Sequence, residues 1–175
     1  MNPVHDVPRG TPQAFNAIVE ISAGTRNKYE VDKETGMLML DRVIFSSVMY
    51  PADYGFIPQT HWEDGDPLDV LILSRYPIQP LTIVPCRPIG VMQMIDDGEE
   101  DDKIIAVVSS DPNYNSFNNL QDLPEHLLLE IKHFFEVYKD LQKKKVTVER
   151  FLGREDAERI IQKSFTLYDD KMRAH

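Results

Sequence analysis

"EDGDPLDVLIL", residues 63–73, sets three aspartates, Asp64, Asp66 and Asp69, against the start of an apolar run. Val70, Leu71, Ile72 and Leu73 form a strand suited to a core. Carboxylates are costly to bury beside one another. In an extended segment Asp64 and Asp66 point to one face and Asp69 to the other. Gly65 and Pro67 disfavour a plain strand, and a bend there brings all three carboxylates to one point. Two readings stand here. Converging carboxylates repel unless cations lie between them, and hard oxygen ligands favour Mg2+, Mn2+ or Ca2+. Asp, Gly and Pro are equally the residues of a solvated turn. An EF-hand does not fit, because no glycine and glutamate follow at its spacing.

Working outward, the first two-thirds of the chain reads as strands. "FNAIVEIS" (15–22), "KYEV" (28–31) and "MLMLDRV" (37–43) are short and separated by the turn-like "AGTRN" and "DKETG". "TIVPCRPIGVMQM" (82–94) and "KIIAVV" (103–108) flank the acidic "IDDGEED" and predict a hairpin pairing 89–94 with 103–108. Pro77, Pro80, Pro85 and Pro88 predict edges or bulges. The last third changes period. "DLPEHLLLEIKHFFEVYKDL" (122–141) predicts a helix with Asp122 as its cap and Pro124 in its first turn. Leu127, Ile131, Phe134, Phe135 and Tyr138 recur at helical spacing. The strand "KVTVERF" (145–151) follows, then an amphipathic helix over 154–170 through Ala157, Ile160, Ile161, Phe165 and Tyr168. Strands followed by helices predict an α+β fold, with a curled sheet or small barrel and two main helices packed outside. With no repeat or linker, residues 1–175 read as one domain.

Composition narrows the function. Nineteen Lys and Arg against 29 Asp and Glu give a net charge of −10. Such a chain is poorly suited to nucleic acid or an anionic membrane and well suited to divalent cations. Metals can in turn bridge to an anionic substrate. Cys86, the only cysteine, excludes an internal disulfide and a Cys-based zinc site and fits a reducing cytosol. "MNPVHDVPRG" carries no basic-then-apolar signal pattern, and no apolar stretch approaches the roughly 20 residues of a membrane span. A cytoplasmic protein is expected.

Other clusters add weight. In "DDGEEDDK" (96–103) six of eight residues are acids. Alone this is a charged hairpin loop. Two acidic clusters at strand ends can face one cleft and supply more than one metal, as two-metal phosphoryl-transfer sites require. Lys28 and Glu30 alternate onto one face, Arg42 ends a strand beside Asp41, and Tyr138 and Lys139 lie near the end of the long helix. Arginine and lysine suit phosphate oxygens. Each also has an ordinary use: Lys28 and Glu30 as a surface ion pair, Tyr138 as part of an apolar stripe. Tyr50 and Tyr54 in "MYPADYGFIP" (49–58) either donate to phosphate or pack beneath a loop. The five histidines show no metal-ligand spacing, and GxSxG, Walker A and GxGxxG are absent.

"DGDPLDV" (64–70) matches Asp-small-Asp-Pro-apolar-Asp-apolar throughout, the signature of family I soluble inorganic pyrophosphatases. The chain resembles that family, in its prokaryotic type. "VEIS" with Glu20, "KYEVDKETG", "LDR", "YPADYGFIP", "IDDGEEDDK" and "HFFEVYKDL" occur in the family's order, so the resemblance spans about residues 15–170. It implies a small five-stranded closed barrel, OB-like, with helices outside. It implies hydrolysis of pyrophosphate to two phosphates by direct attack of a metal-activated water. Several Mg2+ ions would serve each active site, with Mn2+ or Zn2+ as substitutes. A cytoplasmic homohexamer is implied as well. By position, Asp64, Asp69 and Asp101 would hold the tightest metal, and Asp96 would join Asp101 around a further one. Glu20 and Glu30 would reach metals through water. Asp66 would take the proton from the attacking water. Lys28, Arg42, Tyr54, Lys103, Tyr138 and Lys139 would grip phosphate oxygens, with Lys28, Arg42 and Tyr54 acting at the reacting phosphate and Tyr50 in the wall. Asp97 departs from the family, which often has Glu there. Asp101, and not Asp102, takes the ligand role because Lys103 then keeps the family's two-residue offset.

Overall fold

Five apolar runs pair into a closed ring in the computed structural model, which describes residues 1–175. The strands are β1 (Gly10–Thr11), β2 (Ala14–Ile21), β3 (Asn27–Val31), β4 (Leu38–Val43) and β5 (Asp53–Phe56). They continue with β6 (Asp69–Leu73), β7 (Ile83–Asp96), β8 (Glu99–Glu100), β9 (Lys103–Val108) and β10 (Val146–Gly153). The helices are α1 (Pro3–Asp6), α2 (Glu125–Val137) and α3 (Arg154–Arg173). The ring runs β2–β5–β6–β9–β7 and closes where β7 returns to β2. Only β6 and β9 pair in parallel. The long β7 also carries β8 and β10, while β3 and β4 form a separate two-stranded hairpin. The expected α+β fold, with a ring of strands and two main helices, is present.

The strand period divides the interior. Leu71 and Leu73 of β6 join Ile105 and Val107 of β9 in a cluster packed on Ile131, Phe134 and Phe135 of α2. Val70 and Ile72 face the other way, with Ile104 and Ala106, onto Ala157, Ile161 and Phe165 of α3. Apolar residues on both faces explain why β6 reads as a continuous run and not an alternating one. Close strand approach also fixes residue choice. A Cβ on Gly55 of β5 would lie 1.8 Å from the Ile18 carbonyl oxygen of β2. Between β7 and β8, Asp97 and Gly98 both have positive φ (52° and 81°), as a two-residue hairpin of the type I′ class demands.

Local signals held in most places. The expected pairing of 89–94 with 103–108 appears as β7 against β9, with Cys86 to Met92 opposite Val108 to Lys103. A register shift falls between Pro88 and Gly90, where the prolines pointed to a bulge. The start of α2 differs. Asp122 does not cap it, because its carboxylate already accepts from the backbone N–H groups of Asn118 and Asn119 (2.9 and 3.0 Å). It belongs to a 3-10 turn over Leu120–Asp122, in a reciprocal capping box with Asn119. Pro124 stands at the N-cap and α2 begins at Glu125. It also ends early, at Val137, leaving Tyr138 and Lys139 at its terminus ahead of a 3-10 turn over Asp140–Gln142. The N-terminal segment is tied down by Val4 and Val7, buried with Ile18, Val31 and Phe56.

Gly55→Ala is expected to destabilise the fold by about 3 kcal/mol, because the new methyl must push β5 from β2. Urea unfolding measures this; a midpoint equal to the wild type would mean that the two strands have slack.

Candidate active site

The bend expected at 64–69 is a hydrogen-bonded turn. The Trp62 N–H donates to the Asp66 carbonyl (2.8 Å) and the Gly65 N–H to the Trp62 carbonyl (3.0 Å). Gly65 has φ +88°, which glycine adopts without strain. The Asp66 N–H donates to the Asp64 carboxylate at 3.0 Å, turning that side chain inward. Asp69 then starts β6 and lies opposite Lys103 on the parallel ladder, with Asp101 two residues before Lys103. Asp64, Asp69 and Asp101 each offer a carboxylate oxygen within 4.8 Å of the others. An all-oxygen set without histidine or cysteine fits a hard divalent cation.

Lys103 binds this cluster together. Its side chain is 2% exposed, and Nζ donates to Asp69 (2.8 Å), Asp101 (3.0 Å) and the Tyr54 hydroxyl (2.9 Å). Burial opposes its charge, yet the two carboxylates hold its pKa well above the ordinary lysine value. Burial pushes Asp69 up to about 7 against the pull of Lys103. For Asp101 burial also opposes ionisation, but Lys103's charge and hydrogen bond outweigh it and the pKa falls. Burial raises Asp64 to about 6. It raises Glu20 to about 8, although the Val31 N–H donates to that carboxylate at 2.8 Å. Such carboxylates gain most from an added cation.

These residues face a cleft of about 320 Å³. Asp96, the last residue of β7, receives Lys139 Nζ at 2.5 Å. Tyr138 lines the cleft with its ring against Phe134 and Phe135 (5.3 and 5.5 Å between centroids). Lys28 donates to Glu30 at 2.6 Å and to Asp41 at 3.2 Å. Arg42 does not line the cleft. It lies opposite Lys28 on the β3–β4 hairpin, and its Nε donates to Asp41 at 2.8 Å, so Asp41 joins the two. Tyr50 is one layer back, 5.5 Å from the Tyr54 ring and 4.6 Å from Phe134. The bend does not bring all three aspartates of 64–69 to one point: Asp64 and Asp69 converge with Asp101, while Asp66 stands at the exposed side, 58% accessible and paired with Lys33. Asp102 turns away from the carboxylate cluster, is buried, and accepts from Gln93 at 3.2 Å.

Glu20, Glu30, Lys28, Tyr54, Asp64 and Asp66 are thus brought to one cleft, as are Asp69, Asp96, Asp101, Lys103, Tyr138 and Lys139. Sequence reasoning passed over Asp41 as a partner of Lys28 and Arg42. It also passed over Lys33 and Glu99, which line the same cleft. Asp41 sits beside Arg42 in the sequence, so adjacency was its one signal; Lys33 had none, since its partner is 33 positions away.

The model of the family described as inorganic pyrophosphatase matches residues 17–169. Soluble inorganic pyrophosphatase 2 of Chlamydomonas reinhardtii is 47% identical over 171 residues, covering 97% of this chain and 89% of that protein. The crystal structure of inorganic pyrophosphatase from Thermus thermophilus superimposes with a TM-score of 0.92 at 38% identity, over 95% of this chain and 99% of that one. The inorganic pyrophosphatase of Helicobacter pylori gives a TM-score of 0.90 at 40% identity, over 93% and 98%.

The raised carboxylates set a pH dependence. Glu20, Asp64 and Asp69 hold protons in the folded protein at pH values where the unfolded chain, with ordinary values of 4.5 and 3.8, has lost them. Stability therefore falls as pH rises from about 5 to about 8 in chelator. Added divalent cation should reverse that fall, most strongly at the alkaline end. Urea midpoints across this range, with and without cation, provide the check; a midpoint that climbs with pH in chelator would contradict the burial of these groups.

Proposed function

The chain belongs to the inorganic pyrophosphatase family, and from that premise we propose how its own residues divide the work. It is an inorganic diphosphatase, hydrolysing pyrophosphate to two phosphates. The observation that carries the site assignment is the Asp64, Asp69 and Asp101 cluster, closed by Lys103 at the end of a buried parallel strand pair. Asp64, Asp69 and Asp101 would hold the tightest Mg2+, and Asp96 with Asp101 would hold a further one. Glu20 and Glu30 would reach such cations through water. Cations bound there neutralise phosphate charge and bring the pKa of a held water from near 16 toward about 7. Mn2+ and Zn2+ are expected to substitute.

The chain supplies the rest. Asp66, at the accessible side of the cleft, accepts the proton of the attacking water as its oxygen bonds to phosphorus. The bridging P–O bond breaks as that bond forms. Lys28, Tyr54, Lys103, Tyr138 and Lys139 hold phosphate oxygens, with Arg42 brought in from beside Asp41. Arg42 and Lys139 offset the charge that develops on the departing phosphate. Lys103 and Lys139 do not spend their charge in solvent: both are largely buried and aimed at Asp101 and Asp96.

We assign residues 1–175 to one catalytic domain, active as a cytoplasmic homohexamer. Exposed Met37, Leu40, Val43 and Phe45 along and just beyond β4 support self-association, and the free, buried Cys86 suits a reducing compartment. No helix is long and apolar enough to cross a membrane. Light scattering at the mass of a monomer would remove the hexamer.

The activity itself is tested by phosphate released from pyrophosphate with Mg2+, then with excess chelator. Fast release that stops in chelator is expected; no release with Mg2+, Mn2+ or Zn2+ from folded protein would overturn the assignment. Asp66→Asn is expected to lower kcat by about 100- to 10,000-fold while melting and cation binding stay near wild type. Turnover close to wild type in that variant would take Asp66 out of the proton-accepting role.

A further inference from the structure

The lysines of the cleft share one arrangement. Lys103 donates to Asp69 and Asp101 (2.8 and 3.0 Å), Lys139 to Asp96 (2.5 Å) and Lys28 to Glu30 (2.6 Å). Each of these carboxylates is assigned above to cations, and each of these lysines to phosphate oxygens. On that assignment, cations held by the carboxylates would leave the ammonium groups free for the anion. Lys33 is the remaining lysine of the cleft and obeys the same pattern, with Nζ paired to the Asp66 carboxylate. It has no role in the reaction as derived so far.

Its backbone is tied down, while its side chain is about half exposed. Lys33 sits in the turn between β3 and β4, where the Asp32 carboxylate accepts from the N–H and hydroxyl of Thr35 (2.9 and 2.5 Å). The Gly36 N–H closes the turn on the Asp32 carbonyl at 2.8 Å. From the N-terminal segment, the Asn2 side-chain amide donates to the Lys33 carbonyl at 2.6 Å. Asn2 is itself anchored, its side-chain oxygen accepting from the N–H of Val4, which is buried and lines the cleft. The strapped turn thus holds Lys33 at the rim. The side chains of Lys33 and Asp66 are 54% and 58% exposed, and an ion pair so open to water is weak. Four flexible carbons let the ammonium leave it for a stronger partner. A multiply charged pyrophosphate with its ring of oxygens is one.

We propose that Lys33 is a further substrate-binding residue, resting on Asp66 in the free protein and transferring to a phosphate oxygen when pyrophosphate enters. The transfer also clears the Asp66 carboxylate to accept a proton. The proposal deepens the pyrophosphatase reading and rests on it.

The test compares wild type, Lys33→Met, Lys33→Arg and, as a surface control, Lys144→Met. Two readouts are taken with Mg2+: kcat and KM for pyrophosphate, and calorimetric Kd for methylenediphosphonate, which is not hydrolysed. In Lys33→Met, KM and Kd are both expected to rise about tenfold, with kcat within about threefold of wild type. Lys33→Arg should recover most of the loss, and Lys144→Met should lose nothing. An unchanged Kd would overturn the proposal, as would equal losses in the Met and Arg variants. A fall in kcat with Kd unchanged would make Lys33 a positioning partner of Asp66 and also overturn it. Should wild type release no phosphate while Lys33→Met still weakens the diphosphonate, the failure is that of the hydrolase assignment and the binding role stands.

Discussion

The ammonium group of Lys103 between Asp69 and Asp101 is the constraint on which the site depends. Parallel pairing of β6 with β9 puts Asp69 and Lys103 in register, and the residues that follow them, Val70 to Leu73 and Ile104 to Val107, are core on both faces. The positions of the two charges are therefore set by packed apolar side chains, which tolerate little displacement. A buried ionic group is a poor source of stability compared with hydrophobic residues of similar volume. Its presence here fits the proposed function, in which Lys103 fixes the two carboxylates that would hold a cation.

That arrangement gives the strongly acidic composition a sense. Carboxylates outnumber lysines around the cleft, and each lysine there is already committed to one of them. An anion approaching such a surface meets net negative charge until cations load. On the proposed assignment, cations held by the carboxylates would neutralise them and free the lysines. Acid for metal and metal with base for anion form one electrostatic sequence, and the turn of 62–69 and the β7–β8 hairpin each supply one side of it.

How much of this could be read from the chain follows from where each partner lies. The carboxylates of 64–69 and the apolar strand behind them are contiguous, so the bend and the strand were legible, but the third member of the cluster is Asp101 from a distant segment and not Asp66. The β7–β9 pairing was legible because both strands flank one acidic segment, although the tight turn at Asp97–Gly98 joins β7 to β8 and not to β9. Ring closure through β2 and β7 and the parallel β6–β9 pair were not, since they join segments that share no local signal. The cap at Asp122 was misjudged because its carboxylate was already satisfied by the preceding turn, a competition that residue type alone does not reveal. Between Asp101 and Asp102 only an offset to Lys103 was available. The fold separates them in the short link between β8 and β9, one side chain into the carboxylate cluster and the next toward Gln93. Asp41 and Lys33 were passed over because their roles arise from the β3–β4 hairpin and its strap.

The most direct test is a Mn2+ titration of chelator-treated protein, followed by electron paramagnetic resonance, in wild type, Asp101→Asn and Asp102→Asn. Loss of the tightest Mn2+ in Asp101→Asn, with Asp102→Asn retaining it, is the result expected of a cation held by Asp64, Asp69 and Asp101. Retention in Asp101→Asn, or loss in Asp102→Asn alone, would contradict that assignment and with it the placement of the metal centre beside Lys103.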